Sequence, residues 1–243
     1  MNRLIFNKRC FAKKFFEYIF TKIIIRQEET ILKKDSFFGL MIKAILSGLM
    51  IGVGGTVYLS CDNKYIGGFL FSFGLFTIIQ YGFNLYTGKV GYIPERKPAY
   101  IVDVLLIFLG NGIGTGLAAF LLRFTRIWNG IHEKAEVIFD GKMSDSIASK
   151  FILGIFCGLL MYLAVENARN CREKQNDTSM VFGVALPVMV FIFSGFNHSV
   201  ADFFYMFVSH VTPDRLLYLV IVMLGNAVGG MLIPICKKVY EKQ

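Results

Sequence analysis

The segment Met180–His210, MVFGVALPVMVFIFSGFNHSVADFFYMFVSH, decides the fold. It is a nearly unbroken apolar run of about 31 residues, and one straight helix of that length would extend roughly 45 Å. The hydrocarbon core of a bilayer is only about 30 Å thick. Near the middle of the run stand Ser194, Gly195, Asn197, His198, Ser199 and Asp202, a polar cluster foreign to a lipid-facing helix. Two half-helices joined by irregular backbone around residues 194–197 resolve both conflicts, with His198 opening the second half. Irregular backbone at membrane depth is tolerated only where protein covers it or where it lines a cavity. The segment therefore predicts a pathway through a membrane.

The rest of the chain agrees with that reading. Of its 243 residues, 55% are hydrophobic and 18% charged, a membrane-protein composition. Apolar spans fall at 37–60, 65–87, 101–122, 147–166, 181–209 and 215–236, each long enough to cross. The chain thus divides into a basic segment at 1–36, a six-span channel domain at 37–236 and a tail at 237–243. The first segment lacks the apolar core and small-residue site of a cleavable signal. Its Phe11, Phe15, Phe16, Ile19, Phe20, Ile23 and Ile24 follow a helical period between lysines and arginines. That pattern predicts an amphipathic helix on an anionic inner leaflet; the alternative is a helix that plugs the pore mouth.

The net charge of +9 does not point to nucleic acid, because the basic residues gather between the apolar runs and in the tails. With the N-terminus inside, the inner segments hold 18 Lys and Arg and the outer segments seven, which places both termini in the cytoplasm. The five cysteines show neither metal-ligand spacing nor a disulfide framework. No metal and no cofactor is expected.

The two halves resemble each other. Span two carries Gly82-Phe83-Asn84 and span five Gly195-Phe196-Asn197; span three carries Gly110-Asn111 and span six Gly225-Asn226. The offsets are 113 and 115 residues, and three spans per unit make the second copy inverted. Inverted repeats with broken helices that meet near the midplane are a transporter and channel architecture. The symmetry predicts a second interruption between Gly82 and Gly88. The glycines of spans three and six are read as helix-packing positions.

Leu186-Pro187-Val188, Phe191 and the run Ser194-Gly195-Phe196-Asn197-His198-Ser199-Val200-Ala201-Asp202 resemble the fifth-span signature of the formate/nitrite transporter family, usually S-G-F-E-H-S-I/V-A-N. Leu85-Tyr86-Thr87 resembles its L-F-T loop, and the Gly-Asn pairs its paired motifs. The resemblance implies an all-α, aquaporin-like protomer of two inverted three-helix repeats, assembled as a homopentamer in the cell membrane. It implies passage of small monovalent anions such as formate, nitrite or hydrosulfide, or of their conjugate acids. By the same resemblance His198 matches the pore histidine, Thr87 the loop threonine and Lys142 a lysine near the outer vestibule. Phe71 and Phe191 match the outer constriction; Leu75, Leu85 and Tyr86 match the inner one. Three positions depart from the pattern: Asn197 replaces Glu, Asp202 replaces Asn, and Gly158 stands where an Asn usually pairs with the lysine.

A bare anion in hydrocarbon is costly, and an imidazole that titrates near neutrality can donate the proton that neutralises a weak acid in transit. Asp202, four residues beyond His198, shares its helix face and is expected to couple to it. Each assignment has a plainer alternative: a histidine bonded to a carbonyl, packing phenylalanines, a solvated lysine, an aspartate with a structural partner. His132 and His210, in a loop and near a span end, receive no role. Two other functions remain open, a channel for a neutral solute such as urea or ammonia and a non-transporting scaffold. An intramembrane enzyme is disfavoured, since no nucleophile–base pair, metal cluster or phosphate loop is legible.

Overall fold

The structure, a computed structural model, describes residues 36–241 apart from the side chain of Asp177. The amphipathic helix expected over 1–36 and the end of the 237–243 tail lie outside the described residues. Leu40–Gln243 form one compact unit. The described residues are helical throughout, with no strand. In chain order the helices are α1 (Phe37–Ser60), α2 (Lys64–Tyr81), α3 (Tyr86–Lys89, continued by a 3-10 turn over Val90–Glu95), α4 (Tyr100–Leu122), α5 (Trp128–Met143), α6 (Ile147–Glu173), α7 (Asp177–Phe193), α8 (Ser199–Val208) and α9 (Pro213–Tyr240).

α1, α4, α6 and α9 are each long and apolar enough to cross a membrane; α2 and the α3 segment pass the same test as a pair bent by 54°. α7 and α8 are shorter apolar helices, separated by residues 194–198. Local chemistry sets these boundaries. The Asn63 side chain caps α2 by accepting from the Tyr65 and Ile66 N–H groups at 2.9 and 3.1 Å, and Asn176 caps α7 through Ser179 N–H at 3.0 Å. Both helices end on a left-handed glycine, Gly82 at φ 66° and Gly195 at φ 71°, a conformation that strains any residue with a Cβ. Cations meet carbonyls at these ends: Arg172 donates to Ile79 O at 3.2 Å and Lys64 to Phe193 O at 3.3 Å.

The glycines of the spans do set close approach. A Cβ on Gly48 would overlap the carbonyl oxygen of Asn111, and one on Gly158 the carbonyl oxygen of Asn226. The crossings α1–α4 and α6–α9 therefore leave no room for a side chain at either position.

Three expectations need correction. α6 runs to Glu173 and α9 to Tyr240, beyond the apolar limits drawn at 166 and 236. Hydropathy marks only the apolar part of a helix, and i,i+4 pairs such as Arg169–Glu173 and Lys237–Glu241 support its continuation into water. His132 lies on α5, not in a loop. Lys150 and Arg215, counted among the charges of loop segments, lie on α6 and α9 and are buried.

Candidate functional site

The site is built where the start of α3 and the start of α8 come together. In the first half, Asn111 on α4 donates through Nδ2 to Ala44 O and Asn84 O, both at 2.8 Å, and accepts from the Tyr86 N–H at 2.8 Å. In the second half, Asn226 on α9 donates to Gly154 O and Asn197 O at 2.8 and 2.9 Å and accepts from the Ser199 N–H at 2.9 Å. The unravelled backbone adds two matching bonds, Asn84 N–H to Lys43 O and Asn197 N–H to Leu153 O, both 3.3 Å. One amide side chain thus satisfies each break, supplying the partners that water provides elsewhere. The sequence marks both asparagines as motif residues but gives no sign of this clamping.

Between the breaks sits His198, 2% exposed. It is the N-cap of α8, and its Nδ1 accepts the Ala201 N–H at 3.1 Å. A backbone amide only donates, so the neutral ring carries its proton on Nε2. That atom lies 3.1 Å from Thr87 Oγ1, so Nε2–H donates to the threonine of α3. This bond joins the two interruptions directly.

The other residues singled out from sequence fall into two groups around the histidine. Phe191 stacks on His198 with centroids 5.4 Å apart, and Phe71 meets Phe191 edge-on at 5.9 Å. Leu75, Leu85 and Tyr86 are all buried; Tyr86 packs edge-on against Phe108 at 4.9 Å and donates its hydroxyl to Met223 O at 3.0 Å. The second group is polar. Lys142, near the end of α5, donates to Asp202 Oδ1 at 2.7 Å and Asn197 Oδ1 at 3.1 Å. The Tyr218 hydroxyl donates to Asp202 Oδ2 at 2.8 Å. Asp202 therefore spends both carboxylate oxygens on Lys142 and Tyr218; the expected coupling to His198 has no side-chain hydrogen bond behind it. The face argument identified the right helix surface but missed Tyr218, a tyrosine in an apolar span with nothing in the sequence to flag it.

The position of α5, and with it Lys142, is held by a buried arginine. Arg215 donates to Glu136 Oε2 and Asp140 Oδ1 at 2.8 Å, to Ser209 Oγ at 2.7 Å and to His210 O at 3.0 Å. Its guanidinium lies 4.8 Å from the ring centroid of Phe139, which in turn packs on Tyr218 at 5.2 Å. Burial by itself would push the Glu136 carboxyl up, but hydrogen bonds from Arg215 and His210 outweigh it and hold the group below the ordinary carboxylate range. Ser199, read from sequence as a member of the polar cluster, has its Oγ fully buried beside His198 with no hydrogen-bond partner among the described residues.

Apolar helices of crossing length and a buried polar junction between interrupted helices define a multi-pass membrane protein of the channel and transporter class. The chain belongs to the formate/nitrite transporter family, whose model, "Formate/nitrite transporter", matches residues 19–240. It is 24% identical over 246 residues to the formate channel FocB of Escherichia coli (strain K12), covering 82% of this chain and 86% of that relative. It is 26% identical over 243 residues to the formate-nitrite transporter of Plasmodium knowlesi (strain H), covering 83% and 76%. Among solved structures, a pentameric formate channel with formate bound superposes with a TM-score of 0.70 at 22% identity, over 85% of this chain and 98% of that one. An FNT family ion channel gives a TM-score of 0.71 at 21% identity, over 84% and 90%. At that identity the two likenesses establish the fold.

Proposed function

We propose that this chain forms a channel for small monovalent anions of weak acids, such as formate, nitrite or hydrosulfide, with His198 at the centre of the pathway. The observation that carries the reading is the buried imidazole bonded to Thr87 at the junction of the two breaks. Phe71 and Phe191 form the constriction on one side of it, and Leu75, Leu85 and Tyr86 that on the other; Lys142, Asn197 and Asp202 form the polar approach. Family membership and the names of the relatives support the substrate class. Proton linkage through His198 is part of the same proposal.

The finer architecture belongs to this reading too. α2 with α3, and α7 with α8, each count as one broken span, giving six spans in two inverted three-span units. The recurrence of the asparagine clamps supports the inversion. Residues 37–236 form the channel domain, flanked by a cytoplasmic amphipathic segment at 1–36 and a cytoplasmic tail at 237–243, in a multi-pass protein of the cell membrane. The solved pentamer supports a homopentamer.

One observation favours a second reading, a channel for a neutral solute such as urea. Lys142, the cation next to the pathway, is paired with a fully buried carboxylate, which cancels the charge that would gather anions. Flux into sealed proteoliposomes separates the two. Formate, nitrite and hydrosulfide should pass at two pH values, with His198→Ala reducing the rate at least tenfold. Passage of urea alone would establish the second reading, and no flux of any solute would reject both.

A further inference from the structure

Away from the pathway, α5 presents a second cluster that transport does not use. His132 and Glu136 stand four residues apart on α5 and so share one face, and His210 reaches them from the segment between α8 and α9. One ligand-competent atom from each of the three lies within 4.8 Å of the others.

Two of the three, His132 and Glu136, are held from behind. His132 Nδ1 is 2.7 Å from Val208 O; since a carbonyl only accepts, Nδ1 donates and the lone pair is on Nε2. Trp128 stacks on the same ring at 5.7 Å and 21°. The Glu136 Oε2 atom is engaged by Arg215, while Oε1 faces His210 Nδ1 in close contact. A histidine whose second nitrogen is bonded to a carbonyl, beside a carboxylate fixed through its far oxygen, is the support that metal-binding imidazoles and carboxylates commonly have.

We propose that His132, Glu136 and His210 bind a divalent transition-metal ion of the zinc class. Two imidazole nitrogens and one carboxylate oxygen are a zinc donor set, with bonds of about 2.0–2.2 Å. Such bonds place ligand atoms roughly 3–3.5 Å apart, a contraction that the exposed His210 ring supplies by rotation about its side chain. His132 and His210 also line a cavity of about 520 Å³ with Trp128 and Ser209, which leaves room for water as the fourth ligand. Such an ion ties α5 to the end of α8. The first carries Lys142 and the second Asp202, so in the transport reading the ion stiffens the link between these two partners.

The test is binding, which is read without transport and so stands apart from the anion reading. Full-length protein in detergent, with any purification tag removed, is titrated with ZnCl2 and with CoCl2. The site predicts one ion per chain, a melting temperature that climbs with Zn2+ concentration, and visible ligand-field absorption with Co2+. His132→Ala and His210→Ala should each weaken binding by about tenfold or more. Asp140→Ala, which also loses a contact to Arg215 but contributes no ligand, should bind as the unchanged chain does. Absence of binding, binding by either histidine variant as tight as that of the unchanged chain, or an equal loss in Asp140→Ala would each overturn the proposal.

Discussion

Under the proposed function His198 has two separable jobs, and substitutions distinguish them. As N-cap of α8 it satisfies the Ala201 amide, so His198→Ala should lower stability by roughly 1 kcal/mol. Asparagine caps helices well but takes no proton near neutrality. His198→Asn should therefore melt close to the unchanged chain while its flux loses dependence on pH; a preserved pH profile would remove the proton-linked role. Asp202 makes a second prediction. Asp202→Asn converts the ion pair with Lys142 into a neutral hydrogen bond and exposes the lysine charge to the pathway, so formate flux per folded protein should rise. Tyr218→Phe removes one neighbouring bond without touching that charge and should leave the selectivity between formate and urea unchanged. The sequence linked Thr87 and Lys142 to the site only through resemblance, because the contacts of Thr87 with His198 and of Lys142 with Asp202 span 111 and 60 positions along the chain.

The interruptions are elements in their own right. Asn111 and Asn226 each make three backbone hydrogen bonds, two at the adjacent break and one to a neighbouring helix, at Ala44 O or Gly154 O. Replacing either with alanine orphans buried polar groups at about 1–3 kcal/mol apiece. Asn111→Ala and Asn226→Ala should lose folded yield and thermal stability to a similar degree, measured by melting in detergent. α5 makes an acid-sensitive prediction. The Glu136 carboxyl is held below its ordinary range, so its contribution to stability is present above the unfolded carboxylate value and is lost as pH falls through the lower folded value. Melting temperature should fall as pH drops below the ordinary glutamate value of about 4.3, and Glu136→Gln should flatten that part of the profile. The break at residues 194–197 was legible because a run too long for the bilayer carried polar residues in its middle. α5 was not, since its 16 residues include Glu133, Lys134, Glu136, Asp140 and Lys142, a polarity that reads as loop; buried Ile131, Ala135 and Phe139 pack its inner face.

For the whole molecule, orientation is the claim most open to direct measurement. With both termini in the cytoplasm, Cys61, partly exposed between α1 and α2, should react with a membrane-impermeant maleimide added to intact cells. Glu241→Cys should react only after permeabilisation; the reverse pattern would invert the topology. The helical class and the membrane setting follow from the sequence alone, because hydropathy, glycine placement and charge counts act locally along the chain. Only the tertiary structure decided which atoms satisfy the broken backbone, that Asp202 faces Lys142 and Tyr218 and not His198, and that Gly158 leaves no space for a side chain. Those outcomes depend on helices far apart in sequence reaching contact distance, where a hydrogen bond or an overlap is settled within a fraction of an ångström.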